Sequence, residues 1–257
     1  MEMERVVVIT GGGSGMGRCM SGCFAERGWR VCVADISRKS AERSASEIKA
    51  LGPGAIAVQA DIRNARDVKN VIDACSGRWN RIDAWVNNAG VTDKQHRVVL
   101  EVPYKVWNEI LSVNLFGTFT CVKECAAFMK KQGYGNIVNI TSLLGQRGYT
   151  RVGDTAYGVS KAAVEALTEY TAGELEGTGI NINSLYPGAM VNTGFFDYLE
   201  ENEREKLENP AILNELSYML CSISPGELTG GSFSFQNWKE NPEFKKLSRN
   251  LLLGEGN

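Results

Sequence analysis

Histidine is nearly absent from this chain, whose 257 residues include only His96. A zinc site built on several histidines is therefore excluded, and the sequence predicts no metal site. The chain has no basic block of five residues and a net charge of −2, so nucleic-acid binding is not expected. It also lacks an apolar run of the roughly 18 residues that a membrane span needs, and its first residues show no signal-peptide pattern. No membrane partner is expected.

The cysteines do not form a recognisable framework. There are seven of them, an odd number, and none belongs to a C-x-x-C motif. A disulfide scaffold is therefore not expected, and a reducing, cytoplasmic location fits better. We interpret the cysteines as buried, small, apolar side chains.

What the chain does contain is a regular alternation of apolar runs and helical segments. Runs rich in valine, isoleucine and alanine predict strands buried on both faces, at residues 5–10, 30–35, 55–60, 82–87, 136–141, 180–185 and 232–235. Helices are predicted between them, at residues 16–27, 39–51, 65–77, 104–131, 155–176 and 210–221. This alternation predicts an α/β fold, a Rossmann-type, doubly wound parallel sheet of about seven strands with helices on both faces.

The length fits a single domain over residues 1–257, and a hydrophobic content of 43% supplies a sizeable core. We expect residues 1–130 to form mainly the cofactor half and residues 131–235 the catalytic and substrate half. Residues 236–257 form a C-terminal tail.

A glycine-rich turn, Thr10-Gly-Gly-Gly-Ser-Gly-Met-Gly17, follows the first predicted strand and opens the first predicted helix. Glycine allows a tight turn and lets backbone N–H groups approach a pyrophosphate at the helix N-terminus. Asp35 ends the second predicted strand, where a carboxylate can accept hydrogen bonds from ribose hydroxyls and would repel a 2′-phosphate. The sequence therefore predicts NAD as the cofactor, and Arg38 and Lys39 keep NADP as the alternative.

Asp61 and Ile62 follow the third predicted strand and have two interpretations. They lie under the adenine of the cofactor, or Asp61 is an ordinary N-cap of the next helix. The residues themselves do not separate these alternatives.

Tyr157 and Lys161 are four residues apart in a predicted helix, so their side chains lie on one face of it. Tyrosine titrates near pH 10, too high for easy proton exchange at neutral pH. A neighbouring cation favours the phenolate. We therefore expect Lys161 to lower the pKa of Tyr157 and so to prepare it for acid–base chemistry.

These residues belong to a series of motifs that occur in a fixed order: the glycine turn, Asn87-Asn88-Ala89-Gly90, Asn114, Ser142, Tyr157 with Lys161, and Pro187-Gly188. In that order they resemble the short-chain dehydrogenase/reductase family, over roughly residues 4–235. The resemblance implies a seven-stranded parallel sheet. It also implies hydride transfer between a nicotinamide and a carbinol or carbonyl carbon.

The resemblance also implies a role for each matching residue. Tyr157 is the general acid/base, and Lys161 lowers its pKa and holds the nicotinamide ribose. Ser142 hydrogen-bonds the substrate oxygen, and the backbone of Asn114 supports a water in a proton relay. Cofactor contacts are implied for Gly11, Ser14, Gly15, Met16, Gly17, Asp35, Ile36, Asp61, Ile62, Asn88, Ala89, Gly90, Tyr157, Lys161, Pro187, Gly188, Met190, Val191 and Thr193. The segment 88–90 is expected to brace the sheet first and to contact the cofactor second.

The chain departs from the family pattern after Pro187-Gly188, where one extra residue precedes the threonine. Either Asn192 or Thr193 reaches the nicotinamide carboxamide, and we favour Thr193. The tail after the last predicted strand is the second departure, with enough apolar residues to pack on its own chain or on a neighbouring subunit.

The favoured function is an NAD(H)-dependent oxidoreductase acting on a secondary alcohol or ketone of a small polar molecule. The alternative is a catalytically silent dinucleotide-binding interaction or sensor protein of the same fold. Polar residues between Ser142 and Tyr157, among them Arg147 and Arg151, favour a hydroxylated or anionic substrate, unless these arginines face solvent. His96 is a candidate for the rim of the pocket.

The family resemblance further implies association through the fourth and fifth long helices, as a homodimer or homotetramer. Apolar residues on the fourth predicted helix agree with this, although they suit contact with the sheet equally well. They are Phe116, Phe119, Ala126, Phe128 and Met129.

Overall fold

The computed structural model describes residues 4–236. The predicted tail at 236–257 therefore lies almost entirely outside the described residues. Within them, no helix combines the length and apolar character required to cross a bilayer.

Seven strands form one sheet in the order β3-β2-β1-β4-β5-β6-β7. They are β1 (Val6–Thr10), β2 (Arg30–Asp35), β3 (Ala55–Gln59), β4 (Ala84–Asn87), β5 (Gly135–Ile140), β6 (Ile180–Tyr186) and β7 (Ser232–Ser234). Each pairing between these strands is parallel. The order reverses between β1 and β4, and a crevice at the carboxyl ends of such strands is where open α/β sheets bind ligands. The predicted doubly wound sheet is confirmed.

Helices connect the strands and cover both faces of the sheet. They are α1 (Gly15–Glu26), α2 (Arg38–Ile48), α3 (Ala65–Trp79), α4 (Tyr104–Leu111), α5 (Thr118–Gln132), α6 (Thr155–Glu174), α7 (Glu201–Arg204) and α8 (Asn214–Ser222). On one face, α1, α2 and α8 enclose a core around Phe24 and Leu220. On the other, α3 and α5 enclose a core around Trp85 and Met129. Burying one such side chain contributes about 1.5–3 kcal/mol.

The long helix predicted at 104–131 is not uniform. Between α4 and α5 the chain forms a π-helical segment, Ser112–Gly117, before α-helical geometry resumes. A Cβ atom added to Gly117 would lie 2.6 Å from Ile62 Cγ1, so the segment approaches Ile62 closely. π-Helical turns are common at functional sites, and this one contains Asn114. The helix predicted at 210–221 is also divided, into a 3-10 turn, Pro210–Leu213, and α8.

All seven cysteines are free, and six of them are buried, while Cys19 is partly exposed. Burial raises the pKa of the Cys121, Cys125 and Cys221 thiols. They therefore stay protonated at neutral pH and pack as small apolar groups, as the sequence predicts.

Candidate active site

The glycine-rich turn brings backbone atoms together more closely than any side chain would allow. Gly11 and Gly15 have φ values of +63° and +51°, a region that favours glycine. A Cβ atom on Gly17 would lie only 2.3 Å from the Gly11 carbonyl oxygen. Ser14 occupies the N-cap position of α1 without making a side-chain cap. The turn therefore presents the backbone N–H groups at the start of α1, which fits the pyrophosphate of a dinucleotide.

Asp35 lies beside this turn, at the end of β2. Its Oδ2 accepts a hydrogen bond from the Gly13 N–H at 3.0 Å, and its Oδ1 accepts one from the Ser37 N–H at 2.9 Å. These bonds fix the carboxylate at the edge of the glycine turn, and its remaining lone pairs can accept from ribose hydroxyls. Ile36, the next residue, is 61% exposed, which leaves an apolar side chain available to a ligand.

The two interpretations of Asp61 and Ile62 are partly resolved. Asn64, not Asp61, caps α3, accepting from the Arg66 N–H at 2.9 Å, so the N-cap interpretation of Asp61 is wrong. Asp61 is instead paired with Arg63, whose hydrogen bonds lower the pKa of the carboxyl. Ile62 is buried against the π-helical segment. Their contact with an adenine stays a prediction.

The segment Asn88–Gly90 connects the glycine turn to the opposite side of the crevice. The Thr10 hydroxyl accepts from the N–H groups of Asn88 at 3.0 Å and Ala89 at 3.1 Å. The Asn88 amide donates to the Thr10 carbonyl at 3.0 Å. A Cβ on Gly90 would lie 3.3 Å from Asn114 Oδ1 and 3.6 Å from Lys161 Nζ. The segment thus braces β1 and also approaches Asn114 and Lys161.

Asn114 is fully buried within the π-helical segment. Its side chain pairs with the backbone of Val91 in both directions, accepting from the N–H at 2.8 Å and donating to the carbonyl at 2.9 Å. It also donates to the Ser160 hydroxyl on α6 at 3.0 Å. Its own carbonyl accepts from the Thr118 hydroxyl at 2.7 Å. These bonds hold the loop after β4 against the helix of Tyr157, while the water-supporting role of the Asn114 backbone stays a prediction.

Ser142, Tyr157 and Lys161 converge at the carboxyl end of β5. Ser142 lies two residues after the end of β5, and Tyr157 and Lys161 lie one turn apart near the start of α6. Lys161 is buried, and its Nζ donates to the Ile140 carbonyl at 2.8 Å and lies 5.8 Å from the centroid of the Tyr157 ring. The three side chains predicted for catalysis therefore share one location.

The expectation that Lys161 lowers the pKa of Tyr157 is not met in the ligand-free chain. Burial raises the pKa of Tyr157 to about 12, and the groups that oppose this are the Ser142 hydroxyl, through a hydrogen bond, and the charge of Arg151. Burial also lowers the pKa of Lys161 to about 8. The physical reason is desolvation, which penalises the phenolate and the ammonium alike. Sequence spacing places the two groups together but does not report how little water surrounds them.

Glu165 is a functional candidate that the sequence analysis missed. It lies on α6 one turn beyond Lys161, whose pKa its charge raises. Its carboxylate accepts from Thr141, from Gln146 Nε2 at 2.8 Å and from the Ser184 hydroxyl at 2.5 Å. It therefore ties α6 to the ends of β5 and β6 and to the segment after Ser142. Its i, i+4 spacing from Lys161 is the sequence feature by which Glu165 could have been identified.

The segment after β6 returns to the glycine turn. A Cβ on Gly15 would lie 3.3 Å from Thr193 Cγ2, so Thr193 faces the turn. The Asn192 side chain instead accepts from Arg204 Nε at 3.1 Å and Nη2 at 2.9 Å.

Four more residues of the predicted cofactor set lie around this segment. Gly188, after Pro187, has a φ of +73°, and its carbonyl accepts from Gln236 Nε2 at 3.3 Å. Val191 is buried, whereas Met190 is 42% exposed.

A residue just beyond Thr193 covers the catalytic tyrosine candidate. The Phe195 ring contacts the Tyr157 ring edge-on, with centroids 6.0 Å apart and planes at 86°. The segment after Thr193 thus packs on the ring of Tyr157.

Comparison with known proteins shows several that this chain resembles. The 3-oxoacyl-(acyl-carrier-protein) reductase of Staphylococcus epidermidis is 33% identical over 238 residues, covering 89% of this chain and 96% of that protein. An NADPH-dependent aldehyde reductase-like protein, chloroplastic, of Arabidopsis thaliana is 36% identical over 204 residues, covering 75% of each chain. The crystal structure of 3-ketoacyl-(acyl-carrier-protein) reductase from Brucella melitensis, complexed with NADH, superposes with a TM-score of 0.81 at 30% identity, covering 91% of this chain and 97% of that one.

The profile of the short chain dehydrogenase family matches residues 5–204, which include the glycine turn, Asn114, Ser142, Tyr157 and Lys161. The match thus spans strands β1 to β6 and the candidate catalytic side chains together. The chain belongs to the short-chain dehydrogenase family.

Proposed function

We propose that this protein is an NAD(H)-dependent oxidoreductase that interconverts a secondary alcohol and a ketone of a small polar molecule. The observation that carries the proposal is the convergence of Ser142, Tyr157 and Lys161 at one end of the sheet, beside the glycine turn. A binding protein without catalysis has no need of a buried lysine next to a half-buried tyrosine, because burying the charge costs free energy. Convergence therefore favours an enzyme over the silent sensor protein.

The residues of the crevice fit a nicotinamide dinucleotide. Gly11, Gly15 and Gly17 allow the turn to pack closely on its own chain, which leaves the N–H groups at the start of α1 to receive the pyrophosphate, and Thr193 faces the same turn. Bound there, the cofactor would supply or accept hydride, which is its own chemistry and not that of the protein. The protein would position the substrate carbon and exclude water, and well-oriented reactants gain about 7–11 kcal/mol in favourable cases.

Asp35 favours NAD in this proposal. Its carboxylate is fixed at the edge of the glycine turn by the N–H groups of Gly13 and Ser37. A 2′-phosphate at that place would meet a negative charge. Arg38, the nearest cation candidate, is 71% exposed along its side chain and pairs with Gln59 and Glu42. Among the related proteins, one is named for NADPH and another was crystallised with NADH, so the choice rests on this chain's own residues.

Tyr157 would move the proton. Because its pKa is raised to about 12, the phenol holds its proton at neutral pH and is ready to donate from Oη to a carbonyl oxygen. Ser142, one hydrogen bond away, would hold that same oxygen. In the oxidative direction Tyr157 would take the alcohol proton, and the Lys161 charge would stabilise the phenolate. General acid–base help of this kind contributes about 10²–10⁴ in rate.

The proposed substrate is a free small molecule. The bacterial relatives are named for substrates linked to acyl carrier protein, which makes a carrier-bound 3-oxoacyl group the second candidate. Against it stands the charge of residues 200–208 after the covering segment, where five glutamates accompany one arginine and one lysine. This excess of carboxylates would repel a carrier protein whose surface is also negatively charged.

We further propose that the protein acts in the cytoplasm as a homodimer or homotetramer. Phe116 and Phe119 are 55% and 42% exposed and contact each other, with ring centroids 6.3 Å apart. They remain available to a second subunit. Ala126 and Met129 are buried in the core of their own chain, so those two face the sheet instead.

The experiment that tests the proposal compares Tyr157→Phe with wild type. A panel of ketones and a carrier-linked 3-oxoacyl substrate are offered with NADH and with NADPH, and turnover is followed at the nicotinamide absorbance. We expect wild type to prefer NADH and a free ketone. Tyr157→Phe should lose about 10²–10⁴ in kcat and keep its affinity for NADH.

Tyr149→Phe is the matched control, because it removes an exposed phenol from the segment between Ser142 and Tyr157. Near-normal turnover by Tyr157→Phe would show the assignment of Tyr157 to be wrong. NADH binding without turnover of any carbonyl would favour the silent sensor protein.

A further inference from the structure

His96 joins three segments that are distant in the sequence. Its Nδ1 lies 3.0 Å from Asp154 Oδ1, at the N-cap of α6. Its Nε2 lies 2.6 Å from the Tyr198 hydroxyl. Tyr198 belongs to residues 193–199, here named the lid segment, which places Phe195 on Tyr157. One imidazole therefore connects the loop after β4, the start of the catalytic helix and the lid segment.

The chemistry of the partners assigns a direction to both hydrogen bonds. Asp154 is buried and also pairs with Arg151, so its carboxylate accepts and the imidazole Nδ1–H donates. With the proton on Nδ1, Nε2 of the neutral ring has a free lone pair. The Tyr198 O–H donates to that lone pair. With a neutral imidazole, the chain Asp154–His96–Tyr198 is thus a relay of two hydrogen bonds that run in one direction.

The backbone around His96 is arranged to hold this ring in place. His96 has a φ of +48°, in the left-handed region that non-glycine residues rarely adopt. Gly153, with a φ of +86°, packs on it so closely that a Cβ there would lie 2.1 Å from the His96 carbonyl oxygen. Such conformations persist only where the surroundings enforce them, and they concentrate at ligand clamps and switch regions.

A second contact joins the same two loops. Lys94, two residues before His96, lies 3.8 Å from Asp197, next to Tyr198. Both groups are more than half exposed, so this ion pair is weak. The relay through His96 is therefore the main polar connection between the loop after β4 and the lid segment.

We propose that His96 is a positioning residue that latches the lid segment over Tyr157 through the Asp154–His96–Tyr198 relay, and that the latch controls access of the carbonyl substrate. The second half rests on the proposed function, because it needs Tyr157 to be the reacting group. The first half concerns the lid segment alone. The two halves are therefore separable by experiment.

The test uses the full chain and hydrogen exchange of the lid-segment amides, read by mass spectrometry. Tyr198→Phe removes only the hydroxyl. His96→Asn keeps a donor near Asp154 and tolerates a positive φ, but loses the contact with Tyr198. In each variant we expect the lid-segment amides to exchange about fivefold faster. This factor corresponds to the loss of one typical hydrogen bond. The double variant should exchange no faster than either single variant, because both break the same contact.

A second readout links the latch to the substrate. With a ketone that wild type reduces, kcat/KM for the ketone should fall by the same factor in both variants, by at most about fivefold, because that factor follows the closed fraction of the lid segment. The KM for NADH should not change. Tyr149→Phe is the control for loss of a phenol near the site, and amides of α3 serve as the internal reference for global stability.

Exchange in Tyr198→Phe equal to that of wild type would overturn the latch, as would additive effects in the double variant. Faster exchange of α3 by the same factor would also overturn it, because the bonds would then support the whole fold. A wild type that reduces no carbonyl, yet has the expected exchange pattern, would instead overturn the proposed function and leave the latch standing.

Discussion

The two ends of the crevice are built by different means. At the nucleotide end, the contacts are made with the backbone: Gly17 packs on the Gly11 carbonyl, and the Thr10 hydroxyl accepts hydrogen bonds from the N–H groups of Asn88 and Ala89. At the substrate end, side chains from distant segments meet, as in the Asp154–His96–Tyr198 relay. The nucleotide end depends on glycines, which have no Cβ atom, and the substrate end depends on partly buried polar side chains.

This difference determines how each end responds to change. A backbone contact has no alternative arrangement, so an added carbon atom forces the turn to move. A polar network can exchange partners, and its strength depends on charge and therefore on pH. We expect substitutions at the nucleotide end to act through steric exclusion and those at the substrate end to act through charge and hydrogen bonding.

The largest effect is expected for Gly17→Ala. The added Cβ would lie 2.3 Å from the Gly11 carbonyl oxygen and 2.6 Å from Asn88 Nδ2, and these neighbours cannot move without opening the turn. We expect a loss of about 3 kcal/mol in the free energy of unfolding, together with weaker NADH binding. Urea denaturation and NADH titration would measure both.

Gly22→Ala is the matched control on the same helix, α1. Its nearest contact would be Leu51 Cδ1 at 3.9 Å, so the added methyl group fits. Alanine is favoured over glycine in a helix interior by roughly 0.5–1 kcal/mol, and we expect this variant to be slightly more stable. Equal losses in the two variants would contradict a steric origin.

The second effect concerns the buried charge of Lys161, whose pKa is lowered from its ordinary value of 10.5 to about 8. Between these two values the unfolded chain binds more protons than the folded chain at this site. The free energy of unfolding therefore rises with pH through this window. From pH 7 to pH 9.5 we expect wild type to gain about 2 kcal/mol relative to Lys161→Met.

The measurement is urea denaturation of both proteins at several pH values. Subtracting the free energy of unfolding of Lys161→Met from that of wild type cancels the titrations that the two proteins share. The lost bond to the Ile140 carbonyl contributes an offset that does not depend on pH. A difference that stays constant with pH would show that the ammonium is well solvated in the folded chain. The substrate end would then lack the buried charge that distinguishes it from the nucleotide end.

How much the sequence could predict follows the same division. The doubly wound sheet, the position of the glycine turn and the meeting of Ser142, Tyr157 and Lys161 all follow from local patterns, because strand order in such folds brings the carboxyl ends together. The π-helical segment was missed, because it depends on Asn114 pairing with Val91, a loop residue far along the chain. Helix propensity is a property of the local sequence and does not include that contact.

The substrate end was the harder part for the same reason. His96 was only a candidate for the rim, since its bonds to Asp154 and Tyr198 join residues that sequence spacing does not bring together. The pKa of Tyr157 was expected to fall, yet burial raises it. Burial of a particular hydroxyl is set by tertiary packing, which a single sequence does not specify.

The smallest effect sharpens the comparison at Glu165, whose carboxylate accepts from side chains, whereas Asp35 at the nucleotide end accepts from backbone N–H groups. Glu165→Gln keeps the size of the side chain but removes its negative charge. The wild-type carboxylate accepts hydrogen bonds from Thr141, Gln146 and Ser184. Charge-assisted hydrogen bonds are stronger than neutral ones, so we expect a loss of about 1–2 kcal/mol in stability.

The same change should alter the pH dependence of turnover. Because Glu165 raises the pKa of Lys161, its neutralisation lowers that pKa further, and Lys161 loses its proton at a lower pH. The alkaline limit of kcat should therefore move to lower pH. Glu169→Gln, one turn further along α6 at an exposed position, is the matched control and should alter stability by no more than about 0.5 kcal/mol. If both variants leave the pH profile unchanged, Glu165 only braces the strands, and the charge of Lys161 is set by burial alone.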